Sequence, residues 1–518
     1  MPNKNKLSIY MLKDEFTDHN DIIRDYNRSI LLDNIGTVYI KNSYNSIPNW
    51  VNSFFVDQIN ADNIFTANAR AVLLVNVPIA RNREKKFAIT MGYGKNMIRE
   101  NVVEERFGLK VILNTIRPDS LRRINKTNIG GNQKLSNEQL PLKSGINDFG
   151  LDINRDLVSF ITGVSDDEDY AKGMLAGGDI LSLSAEVDIT NIVNFLRMTY
   201  RKYSLATYRT NFGWIDQIQD VRDARLITQL NTEAINAINA GSGNIWMAVP
   251  EIINWSEIAG FKYYGRELLD DIYVRRVIES FREPLLSIEQ LKTKKISAIS
   301  SVDDTTKHRW SANRCLYGEL FLDERAYCIN SGKWYRIDNN FVEQVNRDYD
   351  HTTVAAIDFD DFTDEHNSEN SYSTSFIDNH PNDYILMDAV NISYGGGRSR
   401  IELCDVLSRN MELIHIKPYS GSSTLSHLFS QAAVSAELVL SDTDFLELAN
   451  ERINEISGNN DFQIIDRRSI RVVFGIISKR HSDLPYLPFF SKVSFRYTKR
   501  RLEAFGLDVS IKTIRDVR

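Results

Sequence analysis

Cysteine is scarce in this 518-residue chain, and Cys315, Cys328 and Cys404 are an odd set at wide spacing. That excludes a disulfide framework and a cysteine-built zinc site, and it suits a reducing compartment. Long apolar runs are missing as well: none approaches the roughly 18–20 residues that cross a bilayer. The first residues, MPNKNKLSIYMLKDEF, hold no apolar h-region. No signal peptide is therefore expected, and the chain is expected in the cytoplasm, away from membranes. Excess positive charge is absent too, since 62 Lys+Arg face 69 Asp+Glu for a formal net charge of −7. Any nucleic-acid binding must use a local patch. No fixed-period repeat is present. Gly92-Tyr93-Gly94-Lys95 falls far short of a P-loop. The acids within Ala355–Ser375 lack the glycine and terminal glutamate of an EF-hand.

What is there is ordinary for a globular chain, with 42% hydrophobic and 25% charged residues over a length that suits several domains. The runs KLSIYML, GTVYIKN, RAVLLVNVPI and KKFAITMGYG are rich in β-branched and aromatic residues and read as strands. NWVNSFFVDQI, between them, reads as a short helix or loop. DITNIVNFLRMTYRKYS and DARLITQLNTEAINAINAGSG carry helical periodicity, the second closed by Gly241. Asn128–Gly145 reads as a polar loop, and GELFLDERAYCINSGKWYRID as strands turning at Ser331-Gly332. Ala355–Ser375 is acidic and short of aliphatics, and reads as a linker. The expected fold is mixed α/β and multidomain: an N-terminal α/β domain over 1–116, a largely helical middle domain over 117–345 and a C-terminal domain over 346–518.

The C-terminal domain carries the stretch around which the chain is organised. Arg400–Leu407 and Met411–Lys417 alternate apolar and polar residues about Ser408-Arg409-Asn410, the signature of a β-hairpin. Pro418 and Gly421 end the second strand, and LSHLFSQAAVSAELVL follows at helical spacing. His415 and Lys417 share one face of their strand. Glu402 and Asp405 have opposite parity, so without a bulge only one can join Lys417. HNSENSYSTSF offers Glu369 on a preceding helix, and Gly395-Gly396-Gly397 offers a turn. Further on, Lys492, Arg496, Lys499, Arg500 and Arg501 interleave with Phe489, Phe490, Phe495 and Tyr497. The basic terminus that holds them, from RRSIRVVFGIISKRHS to FFSKVSFRYTKRRLEAFGLDVSIKTIRDVR, is either a local nucleic-acid patch or a strand pair with charged outer faces.

The hairpin and helix resemble the PD-(D/E)xK nuclease fold, whose restriction-endonuclease-like core is a mixed sheet flanked by helices. One departure stands out: His415 occupies the position where that fold carries an acid two residues before the lysine. The resemblance implies Mg²⁺- or Mn²⁺-dependent phosphodiester cleavage, of DNA more than RNA. Asp405 is then the chief metal ligand, with Glu402 and Glu369 assisting. Lys417 stabilises the transition state, His415 serves as ligand or proton-transfer group, and Gln431 orients water or backbone from the following helix. Histidine is a poorer ligand than carboxylate for hard Mg²⁺.

Eight stretches, three of them in the hairpin and helix, are similar to a sporadically distributed, largely uncharacterised bacterial family, often encoded near restriction systems and mobile elements. They are RFGLKVILN, FGLDINRDLVSFITG, FGWIDQI, GKWYRID, IELCDVL, LIHIK, LSHLFSQ and LPFFSK. This similarity implies a setting in anti-phage defence, with N-terminal and middle domains that sense, bind or oligomerise and a phage-derived trigger as candidate partner. Two alternatives stay open. One is a nucleic-acid-binding sensor or adaptor that does not cut. The other is a metal-independent ribonuclease using His415 and His427 as an acid–base pair.

Overall fold

The computed structural model describes residues 4–42, 47, 51, 55, 64–81, 83–128, 134–151, 156–265, 267–388, 391–394, 399–419 and 422–518. Most of the NWVNSFFVDQI run, the Gly395-Gly396-Gly397 turn and Gly421 lie outside the described residues. The chain divides into two compact units, Met1–Thr127 with Leu135–Ile215 and Asn128–Lys134 with Asp216–Arg518. Among the described residues no helix is long and apolar enough to cross a membrane.

The first unit is built on one ten-stranded sheet. Asn5–Met11 lies within it, antiparallel to Arg83–Met91 on one side and Leu181–Ala185 on the other. Alternation along these strands feeds two cores: Ile9, Met11, Val75, Phe87 and Ile89 face one side, Tyr10, Leu12, Leu74 and Ala88 the other. Leu121–Asn128, Lys134–Ser144, Asp156–Ser165 and Gly173–Gly177 join the same sheet. The sheet therefore runs through the boundary expected at 116, and a strand occupies most of the expected polar loop at 128–145. The helix Phe107–Leu113 lies so close beneath that a Cβ on Gly108 would stand 2.0 Å from the Ile180 carbonyl oxygen. Only glycine permits that approach.

In the second unit the helix Ala224–Asn239 forms as its periodicity predicts, with Gly241 at φ +63° just beyond it. The rest of its first part is not largely helical. Ile218–Asp220, Lys333–Ile337, Arg325–Asn330, Leu316–Leu322 and Ile245–Met247 form a five-stranded sheet in that spatial order. Ile258–Lys262, Lys295–Ser300 and Thr306–Ser311 form a three-stranded one. Short buried strands leave apolar runs whose periodicity does not separate strand from helix. Ser331 and Gly332, at φ +50° and +73°, make the expected tight turn.

The C-terminal part begins with helix α1 (Asn339–Asp350), which straddles the boundary expected at 346. Helix α2 (Glu369–Asn379) and strands β1 (Tyr384–Leu386), β2 (Asn391–Tyr394), β3 (Ser399–Glu402), β4 (Val406–Ser408) and β5 (Glu412–Pro418) follow. After them come helices α3 (Ser422–Ser441) and α4 (Thr443–Ser457), strand β6 (Arg471–Ser478), helix α5 (Phe489–Ala504) and strand β7 (Asp508–Arg515). The spatial order is β1-β4-β5-β6-β7. The first two pairings are antiparallel and the last two parallel, so the sheet is mixed. Among the described residues, β2 and β3 form a separate two-stranded sheet.

Helices cover both faces of this sheet. Leu413 and Phe474 pack with Leu425 and Phe429 of α3 and Phe495 of α5. The three phenylalanines meet edge to face at 5.0–5.9 Å, contacts worth roughly 0.5–1.5 kcal/mol each beyond their burial. On the other face Ile414, Ile416 and Val473 pack with Tyr372 and Phe376 of α2 and with Ala355, Ile357 and Phe362. The stretch expected as a linker is therefore packed. Val354 and Phe362 even form parallel bridges to Ile511 and Asp516, because alternate apolar residues hidden among its acids supply a strand-like buried edge. The buried carboxylate of Glu319 accepts the Phe490 amide at 2.7 Å, which ties the five-stranded sheet to the start of α5.

Candidate functional site

The β4–β5 hairpin forms where alternation placed it. The buried Ser408 hydroxyl donates to Glu412 at 2.8 Å and accepts the Asn410 and Glu412 amides, while Met411 adopts φ +61°. These bonds satisfy the turn internally. The strand before it is not continuous. It splits between β3 and β4, where Leu403 and Cys404 turn wholly into the core. Asp405 keeps the ladder: its amide donates to Ile414 and its carbonyl accepts from Met387.

That irregularity decides the site's geometry. Glu402 and Asp405, on opposite faces of a regular strand, come together with Asp388. One carboxylate oxygen of each lies within 4.8 Å of the others, and all three residues are half-buried. Asp388 sits just past β1, and its carboxylate accepts a hydrogen bond from the Asn370 side chain at the start of α2. The sequence reading missed Asp388; the available signal was an acid ending the apolar run YILMD. The expected helix at Glu369 forms, capped by reciprocal bonds between Ser368 and Ser371. Glu369 does not join the carboxylate group. It forms an ion pair with Lys417.

The electrostatics follow from this crowding. Burial pushes the Asp405 carboxyl up to about 7; the Ile416 amide at 2.5 Å and Lys417 pull it down, and Glu402 and Asp388 push it further up. Burial works to lower the Lys417 ammonium, but the hydrogen bond and charge of Glu369, with Asp405 and Asp388, hold it above its ordinary value. Three oxygen donors crowded in a half-buried setting suit a hard divalent cation such as Mg²⁺ or Mn²⁺, so the residues present fit that cofactor.

His415 is elsewhere. It shares Lys417's strand parity but packs against Phe474 at 6.1 Å between ring centroids, and its Nε2 is buried without a hydrogen-bond partner. Burial depresses its imidazole to about 3, so it is neutral and outside the carboxylate group. The expected roles as ligand or proton-transfer group thus have no geometric support, because the strand turns this side chain into the apolar core. His427 is exposed on α3, so the two histidines do not share a solvent-facing surface. Gln431 is also exposed on α3, and no described hydrogen bond ties it to the carboxylates.

Within the basic terminus, Arg471–Ser478 and Asp508–Arg515 do pair as strands, β6 and β7, while the five named cations lie between them on helix α5. Lys492 donates to Asn346 at 2.9 Å and covers the Tyr349 ring. Arg496 and Arg500 converge on Asp348 at 2.5 and 2.8 Å. Lys499 lies 3.8 Å from Glu503, and Arg501 pairs with Glu437. Acids of the same fold therefore balance much of the positive charge expected to meet phosphates.

No curated protein and no solved structure matches the chain. A family model matches residues 7–515, nearly its whole length, and the chain therefore belongs to the DUF6119 family, a family of unknown function.

Proposed function

We propose that this protein is a divalent-metal-dependent nuclease acting in anti-phage defence, its site lying in the C-terminal sheet. The observation that carries the reading is the convergence of Asp388, Glu402 and Asp405 beside the strand of Lys417. The order α2-β1-β4-β5-α3-β6, with antiparallel then parallel pairing, is in keeping with a restriction-endonuclease-like core. The defence setting rests on the family resemblance alone.

Asp388, Glu402 and Asp405 would hold Mg²⁺ or Mn²⁺. Such an ion, when bound, polarises a phosphate oxygen and makes hydroxide available near neutral pH. Asn370 fixes the Asp388 carboxylate, and the Ile416 amide fixes that of Asp405, so both keep their aim. The Lys417 ammonium offers positive charge to the phosphorane once a phosphodiester competes with Glu369 for it.

The test is cleavage of plasmid DNA, single-stranded DNA and RNA by the purified full chain in Mg²⁺, Mn²⁺ or EDTA. Metal-dependent cutting that disappears in both Asp405→Ala and Lys417→Ala supports the reading. Cutting that persists in either variant, or in EDTA, overturns it. The ion pair between Lys417 and Glu369 favours a second reading, a binding sensor in which the lysine is structural. That reading expects nucleic-acid binding that survives Lys417→Ala, with no cutting under any metal.

A further inference from the structure

If the site acts on phosphodiesters, something must hold the nucleotide beside the scissile bond, and the balanced charges of α5 are poorly placed to do so. The carboxyl edge of the parallel strands offers a different surface. Two residues after Lys417, on the same side of the chain and about 7 Å further along, stands Tyr419. Its amide donates to Ile477 at 2.9 Å, extending the β5–β6 ladder past Pro418. β6 then ends, and Lys479, Arg480 and His481 emerge, all exposed at the same edge. The Arg480 guanidinium lies 3.8 Å above the centre of the Tyr486 ring. Tyr486 is 44% exposed, and its ring centre lies 6.4 Å from that of Tyr419. Among the described residues Arg480 makes no ion pair, in contrast to Arg496, Arg500 and Arg501. Ligands of parallel sheets bind outside the carboxyl ends of the strands.

We infer that Arg480, Tyr486 and Tyr419 form a stacking platform for an unpaired nucleobase next to the phosphodiester at Lys417. The substrate class is accordingly single-stranded nucleic acid, or a duplex with a splayed base. The inference rests on the nuclease reading for its phosphodiester. The platform itself stands on three features that recur in single-strand binding: an exposed aromatic ring, Tyr486, beside the half-buried Tyr419, a guanidinium lying over the first ring, and an Arg480 charge that makes no ion pair among the described residues. Burial, with Tyr486 and Glu319 nearby, pushes the Tyr419 phenol up to about 12. It stays a neutral hydrogen-bond donor across the working range of pH.

The experiment is fluorescence anisotropy with the full chain in EDTA, at one fixed salt concentration, using a labelled oligothymidine and a labelled duplex of equal length. Arg480→Ala and Tyr486→Ala should each weaken oligothymidine binding at least about fivefold, while Tyr486→Trp retains it and duplex binding changes little. Arg500→Ala, on α5, should change it less than twofold. Wild type that ignores oligothymidine, or platform variants that bind it unchanged, overturns the inference. Because EDTA removes the metal, binding is read independently of cutting. Platform-dependent binding by a protein that never cuts sinks the nuclease reading and leaves the platform standing. Normal cutting and binding by the platform variants does the reverse.

Discussion

Glu369, the first residue of α2, is ion-paired with Lys417, the penultimate residue of β5 and 48 positions later in the chain. A half-exposed pair of this kind contributes about 1 kcal/mol at most. Glu369→Gln should therefore lower stability in urea unfolding by no more than that amount. It should leave metal-dependent cleavage intact or raise it several-fold, since the lysine no longer has a competing partner. A loss of cleavage as deep as that of Asp405→Ala would instead return Glu369 to the metal-ligand role expected from the sequence.

Asp405 gives a pH dependence of definite sign. Its folded-state pKa, about 7, lies above the ordinary carboxylate value of 3.8, so folding favours the protonated acid. Its contribution is complete below about pH 4 and is lost as pH rises through 7, up to roughly 4 kcal/mol if burial acts undiminished. Asp405→Asn should remove that decline, making the variant the more stable protein at pH 8. Adding Mn²⁺ at pH 8 should raise the melting temperature of wild type and leave that of Asp405→Asn unmoved.

His415 runs the opposite way over nearly the same window. Its folded pKa is depressed to about 3 from 6.5, so its contribution is present above 6.5 and is lost as pH falls towards 3. His415→Leu should flatten the acid limb of the stability curve and keep metal-dependent cleavage within about threefold of wild type, as expected of a group that touches no substrate. A deep loss of activity with normal folding would show that the imidazole reaches the site.

Among the described residues, Asn370 meets the carboxylate group through its hydrogen bond to Asp388. Asn370→Ala should weaken Mn²⁺ binding about 10- to 100-fold, the usual effect of removing a partner that orients a ligand. Isothermal titration of the metal alone measures this without requiring a substrate.

Gly108 supplies a test far from this chemistry. With a Cβ placed 2.0 Å from the Ile180 oxygen, Gly108→Ala forces the helix off the sheet. It should cost at least about 2 kcal/mol in denaturant unfolding.

The sequence made the hairpin legible through apolar runs on either side of a polar turn, although β4 and the middle of β5 are buried on both faces. Helix α2 was expected only through the nuclease resemblance; the signals in the residues themselves are the Ser368 cap and the buried Tyr372 and Phe376. Asp405 and Lys417 followed from that hairpin. Asp388 did not, because it lies outside the hairpin after a strand of only three residues. Nor did the meeting of Glu402 with Asp405, which depends on two core residues, Leu403 and Cys404, breaking the strand. His415 kept the expected parity and still missed the site, since parity fixes a face and not what lies on it. Helix α5 was obscured by aromatic and β-branched residues that suit strands, although Phe490, Val493 and Leu502 are all buried along it. Ala355–Phe362 went unrecognised because Asp358, Asp360 and Asp361 interrupt the apolar residues that bury it.

The bond from the Phe490 amide to Glu319, with that of the Tyr349 hydroxyl to the Pro485 carbonyl, limits how this protein can be dissected. A fragment cut at residue 346 would sever α1 partway, strip the first turn of α5 of its acceptor, and part the Phe341 ring from that of Phe489. Excision of the carboxylate site for separate work should therefore begin no later than Asp216, where the second unit resumes. A protease that nicks the chain near 346 should leave two pieces that remain associated until denaturant is added.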